Sequence, residues 1–302
     1  MSAADVTVGV ATCGRPEALA RCLAGLAGDE ALPGEVVVVD QAPSEDARRA
    51  VAASGLPGVR YVEQPRLGLS ASRNLALSSS SCPVLAVTDD DCVPGPGWVA
   101  ALAAALGRSP VPAAVTGAIL PLGDGGPGLY AVSLRESRQP ADHAGRVLPW
   151  TAGSGANFAA RRELLLAHGG WDERLGAGSA GQAAEDADLL YRLLRSGAVV
   201  RYEPTAVVRH EWQNRARRLA TRWSYGYGVG AMCGLWLRRR DRFAARMLLG
   251  YVRLHLRPLA SAVAHADRRR AAEHVRALAS LGPGLLYGLG AAEPAGSGEQ
   301  KW

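Results

Sequence analysis

Short apolar runs alternate with amphipathic stretches along the first hundred residues of the chain. The runs are brief, rich in valine and bounded by glycine, proline or aspartate, which is the pattern of buried strands. They lie at Asp5–Ala11, Gly34–Asp40, Val59–Glu63 and Val84–Val87. Between them, leucines recur at helical spacing, as in the helix predicted from Glu17 to Ala27. This alternation predicts an α/β fold with a Rossmann-like, mostly parallel sheet flanked by helices.

The pattern is less regular in the next hundred residues. A helix to about Leu106 and a strand near Val111–Leu120 precede the stretch Pro121–Pro149, in which glycine and proline are frequent and no period persists. That stretch is predicted to be either a mobile loop over a site or a long insertion. An amphipathic helix at Glu185–Arg195 then leads to a strand that ends at His210.

Three consecutive acids, Asp89, Asp90 and Asp91, follow the fourth predicted strand. Successive strand residues point to opposite faces, so Asp89 and Asp91 are predicted to share a side and Asp90 to point away. Adjacent carboxylates repel one another unless a cation or hydrogen-bond donors hold them. A solvated acidic loop is the alternative, but open α/β sheets bind ligands at the carboxyl ends of their strands. The triplet therefore predicts a site for Mg²⁺ or Mn²⁺, with Asp91 as the leading ligand and Asp89 beside it.

A series of motifs in a fixed order resembles family 2 glycosyltransferases of the GT-A fold. The motifs are Thr-x-x-Arg-Pro after the first strand, Asp40 at the end of the second, Gly-Leu-x-x-x-Arg-Asn at residues 68–74, the Asp triplet, and Glu-Asp at residues 185–186. Residues 152–160 and 169–173 are similar to the family's acceptor-side segment. The resemblance spans about Val6 to His210. It implies metal-dependent transfer of a sugar, with inversion, from a nucleotide-diphosphate sugar to an acceptor hydroxyl.

By that resemblance, residues at the strand ends bind the donor. Arg15 approaches the nucleotide, and the alternative is that it belongs to an ordinary turn. Asp40 contacts the nucleobase, and the alternative is that it caps the following helix. After Asp40 the chain has Gln-Ala-Pro-Ser where the family usually has Asp-Gly-Ser. Arg73 suits a diphosphate because a guanidinium matches phosphate oxygens, and a surface arginine is the alternative. The predicted substrate-binding residues are Thr12, Arg15, Asp40, Arg73, Asn74, Asp89, Asp90, Asn157, Trp171, Asp172 and Glu185.

The Glu185–Arg195 helix carries the residue predicted to act as the catalytic base. Asp186 lies on the same side of this helix as its leucines, whereas Glu185 aligns with Asp188 and Arg192 on a face predicted to be wetter. By resemblance Asp186 takes the proton of the acceptor hydroxyl, and a purely electrostatic role at the helix N-terminus is the alternative.

Two further polar residues are each predicted with an alternative. His210 is, by resemblance, the third metal ligand, and a structural histidine is the alternative. Asp172 contacts the acceptor or caps a helix.

Beyond His210 the chain turns basic. Residues 209–276 contain 16 arginines and four acidic residues, although the whole chain carries only +6. The stretches Trp223–Leu237 and Met247–Leu259 predict either contact with an anionic membrane surface or a helical subdomain packed on the sheet. The chain is therefore divided into a catalytic domain at residues 1–212, a basic helical extension at 213–290, and a tail at 291–302 expected to be disordered.

Composition bears on location and on the remaining function classes. The five cysteines show no paired or metal-ligand spacing, which favours a reducing compartment. No leader and no spanning segment is recognised, so a cytoplasmic protein is predicted, at the inner face of the membrane if the extension binds lipid. A nucleotidyltransferase is the alternative enzyme. A nucleic-acid-binding protein is the alternative without catalysis, but the basic region lacks a recognisable motif and no nucleic acid is expected. The acceptor is left open among glycan, lipid-linked and small-molecule hydroxyls.

Overall fold

A computed structural model describes residues 1–292 of the chain, so most of the tail predicted to be disordered lies outside the described residues. A 3₁₀ turn at Ala3–Asp5 precedes β1 (Val6–Thr12), α1 (Pro16–Ala27), β2 (Glu35–Asp40), α2 (Glu45–Ala52), β3 (Val59–Glu63), α3 (Leu69–Ser79), β4 (Val84–Asp89), β5 (Cys92–Pro94) and α4 (Trp98–Leu106). The chain continues with β6 (Ala114–Pro121), β7 (Leu129–Tyr130), β8 (Ala141–His143), α5 (Pro149–Ala152), β9 (Asn157–Arg161), α6 (Arg162–Ala167), α7 (Glu185–Arg195), β10 (Val200–His210) and β11 (Gln213–Asn214). It then forms α8 (Arg215–Arg238), α9 (Phe243–Ala264), α10 (Arg268–Ala279) and α11 (Leu281–Gly290).

The central sheet has the strand order β3-β2-β1-β4-β9-β6-β10-β5, and β8 also pairs with β10. The first four strands in this order are parallel, β9 is antiparallel to both of its neighbours, and β6 and β10 are parallel to each other. Within this sheet, all strands except β5, β8 and β9 therefore point in one direction, and β7 and β11 form a separate antiparallel pair. The prediction of an α/β fold with a mostly parallel sheet is confirmed.

Both faces of the sheet are buried, which explains why its strands are apolar at nearly every position. Along β4, Val84 and Ala86 pack into one cluster with α1, α2 and α4 residues, whereas Leu85 and Val87 pack into a second cluster with α7 residues. This alternation follows from the two-residue period of a strand. With both faces covered by helices, the exposed carboxyl edge of the sheet is where polar side chains can gather.

The stretch Trp223–Leu237 lies inside α8, and its residues from Gly228 to Trp236 are buried. Glycines bring α8 and α11 close together: a Cβ on Gly284 would collide with the carbonyl oxygen of Tyr227, and one on Gly230 with that of Leu281. The part of this stretch from Gly228 to Trp236 is therefore packed inside the protein, whereas Trp223 and Tyr225 at its start are exposed. None of the helices among residues 1–292 is both long enough and apolar enough to cross a bilayer.

Candidate active site

The predicted donor-side residues lie along one edge of the sheet. Thr12 ends β1 and is paired in register with Asp40 at the end of β2, and Ala11 is paired with Asp89 at the end of β4. The short strand β5 runs antiparallel to β10 and places His210 opposite Cys92. Residues from four distant parts of the sequence therefore meet at the carboxyl edge, because parallel strands end on the same side of a sheet.

Asp89, Asp91, Cys92 and His210 bring one ligand atom each within 4.8 Å of one another. His210 Nε2 lies 3.6 Å from Asp91 Oδ1, and Nδ1 of the same ring lies 3.0 Å from the carbonyl oxygen of Glu211. That carbonyl accepts a hydrogen bond from Nδ1–H, so Nε2 is the ring nitrogen that faces the carboxylates. Two carboxylates and one imidazole nitrogen suit Mn²⁺ or Mg²⁺, so the residues present fit a divalent cation.

Cys92 was not predicted as part of this group. Its thiol is fully buried, and burial raises its pKa well above the ordinary value. A thiol that stays protonated does not bind a hard cation. The three predicted ligands Asp89, Asp91 and His210 therefore lie together with Cys92 beside them, and their binding of a cation stays a prediction.

Asp90 is not part of this group, but strand alternation is not the reason, because β4 ends at Asp89 and both Asp90 and Asp91 lie in the turn that follows. The carboxylate of Asp90 accepts a 2.7 Å hydrogen bond from the Thr12 hydroxyl and a 3.1 Å hydrogen bond from Arg15 Nε. Burial raises the pKa of Asp90 to about 6, although Arg15 and Thr12 act in the opposite direction. Asp90 and Thr12 therefore fix the turn that carries Arg15.

Asp91 is held by two arginines, and one of them comes from the C-terminal helices. Arg15 Nη1 lies 2.6 Å and Arg217 Nη2 lies 3.0 Å from Asp91 Oδ2. Burial by itself would raise the pKa of Asp91, but His210, Arg15 and Arg217 together hold it below its ordinary value. Arg217 was missed by the sequence analysis, because it is one of 16 arginines in the basic region and nothing in its spacing distinguishes it.

Arg73 links the strand end to the N-terminus of α7. It is almost fully buried, and its guanidinium lies 2.9 Å from Asp89 Oδ1 and 2.8 Å from Glu185 Oε1. Gly155 lies against it, since a Cβ at that position would come 2.7 Å from Arg73 Nη1. The surface-arginine alternative is wrong, because a buried guanidinium shared by two carboxylates belongs to the site itself.

The predicted face of α7 is partly wrong. Glu185, Asp188 and Arg192, expected on a wetter face, are all buried, whereas Asp186 is only half-buried. Asp188 and Arg192 form an ion pair of 2.8 Å, and Asp188 also accepts a hydrogen bond from the Trp236 indole. Helix α8 and the 168–170 turn cover this face, which the helical period of α7 alone could not show.

The two acids that begin α7 differ in environment. Burial, and then the neighbouring charge of Asp186, raise the pKa of Glu185 from 4.5 to about 7, and Arg73 only partly opposes this. Asp186 Oδ2 accepts a 2.8 Å hydrogen bond from the backbone N–H of Gly155, in the glycine-rich loop before β9. Asp186 therefore presents a partly exposed carboxylate at the loop, and Glu185 is an internal partner of Arg73.

The remaining predicted residues serve mainly to build the site. Asn74 and Trp171 exchange two hydrogen bonds between side chain and backbone, of 2.8 and 2.9 Å. Asn157 is fully buried; its amide donates to the carbonyls of Ala118 and Ala206 and accepts from Trp98 Nε1. Asn157 therefore ties neighbouring strands together. Both N–H bonds of its amide are used in doing so, and none is left for the contact with substrate that the sequence predicted.

Two aspartates predicted as alternative helix caps do not cap helices. The N-cap of α2 is Ser44, whereas Asp40 accepts hydrogen bonds from the Tyr61 hydroxyl at 2.7 Å and from the N–H of Ala42 at 2.9 Å. Asp172 precedes no helix and is bound by the Arg174 guanidinium, with Nη2 at 2.6 Å. The base and acceptor contacts predicted for these two residues stay predictions.

Arg135 is a second residue that the sequence analysis missed. Its Nη2 donates to the carbonyl of Gly153 at 2.8 Å, beside the loop that holds Asp186, and burial lowers its pKa although Asp186 acts against this. It lies in the Pro121–Pro149 stretch, which contains β7 and β8. Part of that stretch is therefore fixed to the site.

Comparison with known proteins finds similarity to glycosyltransferases. The profile of the family described as Glycosyl transferase family 2 matches residues 7–166. Two curated proteins from two strains of Mycobacterium tuberculosis, both described as pre-mycofactocin glycosyltransferase, are 31% identical over 189 residues. The match covers 61% of this chain and 38% of each relative, so the chain spans well under half of their length.

Several solved structures share the fold. A mannosyltransferase from Pyrobaculum calidifontis in complex with GDP-Man and Mn²⁺ is similar at a TM-score of 0.62 with 20% identity, covering 92% of this chain and 86% of the other. Residues 1–349 of S. aureus TarS are similar at a TM-score of 0.57 with 14% identity, and the match covers 94% of this chain and 92% of the other. GalNAc-T7 with UDP, GalNAc and Mn²⁺ is similar at a TM-score of 0.52 with 17% identity, and the match covers 69% of this chain and 43% of the other. At these identities the likeness shows the fold, which is of the GT-A type as predicted.

Proposed function

This chain belongs to glycosyl transferase family 2, and from that premise we propose that it transfers a sugar from a nucleotide-diphosphate sugar to an acceptor hydroxyl. One observation carries the proposal: Asp89, Asp91 and His210 converge on one point, and Arg15, Arg73 and Arg217 lie among their carboxylates. A site with clustered carboxylates and guanidiniums can bind a divalent cation and a polyanion together. A metal-bound diphosphate is such a ligand.

The residues at the sheet edge have distinct roles in this proposal. A divalent cation held by Asp89, Asp91 and His210 would neutralise charge on the diphosphate as it leaves. Arg15 and Arg217 then exchange their contact with Asp91 for phosphate oxygens, which guanidinium groups match in geometry. Asp40 and Tyr61 form the wall where the nucleobase is proposed to lie. Arg73 keeps Asp89 and Glu185 in place.

Asp186 is proposed as the base that takes the proton of the acceptor hydroxyl. It is partly exposed, it lies on the loop side of Arg73, and Gly155 N–H holds one of its oxygens. The other oxygen accepts from the N–H of Ala187, within the first turn of α7, where a helix N-terminus favours an ionised carboxylate. A single base without a second carboxylate nucleophile fits inversion at the anomeric carbon.

The donor and acceptor are proposed as classes. GDP-mannose and UDP-sugars are the first donors to test, since GDP-Man and UDP are bound in the similar structures. Pre-mycofactocin is the first acceptor to test, ahead of glycan, lipid-linked and small-molecule acceptors in general, because the curated relatives are named for it.

Ligand binding and product analysis test the function together. A nucleoside diphosphate at about 100 times its Kd should raise Tm by about 5 °C in Mn²⁺ and by less in chelator. Asp91→Asn should lose this shift and the release of nucleoside diphosphate from the donor. Asp46→Asn, which removes an exposed acid on α2, is the control and should retain both. Release of pyrophosphate instead would favour the alternative nucleotidyltransferase and contradict the proposal.

A further inference from the structure

Helix α9 has an outward face that is exposed in the described part of the chain. Tyr251, His255 and the other buried residues of α9 lie on the opposite side. On the outward side, Leu249, Leu256 and Val263 are 47%, 49% and 65% exposed. Residues seven apart fall almost on one line along a helix, so these three form a continuous apolar row. A scattered exposed leucine needs no explanation, but an apolar row bordered by charged residues marks a contact surface.

A row of arginines runs beside the apolar row. Arg246, Arg253 and Arg257 are all exposed, and the sequence of α9 contains no acidic residue. Within residues 1–292, no ion pair joins these three arginines to an acid. The outward face of α9 is therefore half apolar and half positively charged, with the charge left uncompensated by the protein.

A cavity of about 170 Å³ adjoins the arginine row. Its lining is contributed by the loop before α5 and by α9, and consists of Arg146, Leu148, Phe243, Arg246, Leu249, Gly250 and Arg253. Gly250 lets the loop approach the helix, because a Cβ there would lie 2.8 Å from the Leu148 side chain. Three guanidiniums beside apolar side chains fit an anionic group that is attached to a hydrocarbon, as in a phospholipid.

We propose that this face docks on the surface of a bilayer that contains anionic phospholipids. The apolar row enters the boundary between headgroups and acyl chains, and Arg146, Arg246 and Arg253 bind lipid phosphates. Charge complementarity selects this occupant, since the same face of a second copy would bring two arginine rows together. The proposed surface overlaps the second stretch predicted from the sequence, Met247–Leu259, and extends beyond it to Arg146, Arg246 and Val263; most of the first stretch, from Gly228 to Trp236, is buried.

Vesicle flotation with the full chain tests the proposal. Vesicles of phosphatidylcholine with about one third phosphatidylglycerol should bind the protein at low salt, and pure phosphatidylcholine vesicles should not. Binding should fall as added salt shortens the Debye length. Arg246→Gln/Arg253→Gln should weaken binding about 25-fold, since each arginine near an anionic surface contributes about fivefold. Arg49→Gln/Arg108→Gln removes the same formal charge from exposed positions elsewhere and should bind as the unmodified protein does.

The apolar row has its own variant and control. Leu249→Ser/Leu256→Ser should weaken binding by about tenfold or more, whereas Leu166→Ser/Val111→Ser, at comparably exposed positions, should not. Two results would overturn the proposal. One is an equal loss in the arginine variant and its charge-matched control. The other is a dimer in sedimentation equilibrium that Leu249→Ser/Leu256→Ser dissociates, because the row would then be covered by a second copy.

Discussion

Arg217 and Asp91 are 126 residues apart in the sequence, and the guanidinium of one lies 3.0 Å from the carboxylate of the other. Helix α8, the first of the basic C-terminal helices, therefore contributes a side chain to the candidate site. The pair also places a positive charge beside the atoms proposed to bind a cation.

Arg217→Gln should have opposite effects on the two ligands. Without nucleotide, Mn²⁺ should bind roughly tenfold more tightly, because a positive charge that repels the cation is gone. In chelator, a nucleoside diphosphate should bind roughly tenfold more weakly, because one charge-assisted hydrogen bond is lost. Calorimetric titration measures both, with Arg215→Gln on the same helix as the control. Equal weakening of both ligands would indicate damage to the fold instead.

His210 and Cys92 are neighbours that should respond differently to substitution. His210→Ala removes the proposed third ligand and should weaken Mn²⁺ binding by ~10–100-fold while Tm without metal changes little. Cys92→Ala should leave Mn²⁺ affinity within about twofold, because the buried thiol stays protonated. Titration of each variant with Mn²⁺ checks this. A large loss in Cys92→Ala would place the thiol among the ligands.

Asp186→Asn should cut turnover by ~10²–10⁴-fold and leave donor affinity almost unchanged, because the side chain remains nearly isosteric but cannot take a proton. Glu185→Gln is the matched variant at the adjacent position. It should weaken donor binding as well as turnover, because Arg73 loses a buried partner. Steady-state kinetics with donor and acceptor varied separately distinguish the two outcomes. Normal turnover of Asp186→Asn with a dead Glu185→Gln would assign the base to Glu185.

The pKa of Glu185 predicts how stability depends on pH. A carboxyl whose pKa is raised from 4.5 to about 7 in the folded protein binds more protons folded than unfolded between these values. Its contribution to the free energy of unfolding therefore falls as pH rises from about 4.5 to 7, and is constant above that. The Tm of Glu185→Gln and of the unmodified protein can be measured without ligand from pH 5 to 8. The Tm of the variant minus that of the unmodified protein should increase as pH rises. A difference independent of pH would contradict the assignment.

Gly284 and Gly282 provide a matched pair within α11. Gly284→Ala should lower the free energy of unfolding by about 1–3 kcal/mol, because its Cβ would collide with the backbone of Tyr227 in α8. Gly282 faces open space, so Gly282→Ala should be neutral or stabilise by up to ~1 kcal/mol through helix propensity. Urea unfolding of both variants gives the two values. Similar values for both would show that α8 and α11 are not in close contact.

The sequence by itself determined the sheet, its exposed edge and most of the acids at that edge. Valine-rich strands alternate with amphipathic helices, and both periods are local, so they could be recognised without knowing the fold. Asp89 and Asp91 do lie in one group, as predicted, but β4 ends at Asp89, so the turn after it and not strand alternation sets the positions of Asp90 and Asp91. His210 and Arg73 were identified by resemblance, and each had an alternative that spacing alone could not remove.

Only the tertiary structure decided what each polar residue contacts. The helical period placed Glu185 and Asp188 on an exposed face, but α8 covers that face, and nothing local to α7 encodes the position of another helix. Arg217 is indistinguishable in sequence from the arginines around it until the fold brings it to Asp91. The burial of the uncharged stretch of α8 could not be predicted for the same reason. Its glycines allow close helix packing, but the sequence does not show that α11 is the helix that packs against them. Burial and charge pairing depend on residues distant in the chain, whereas periodicity depends on neighbours.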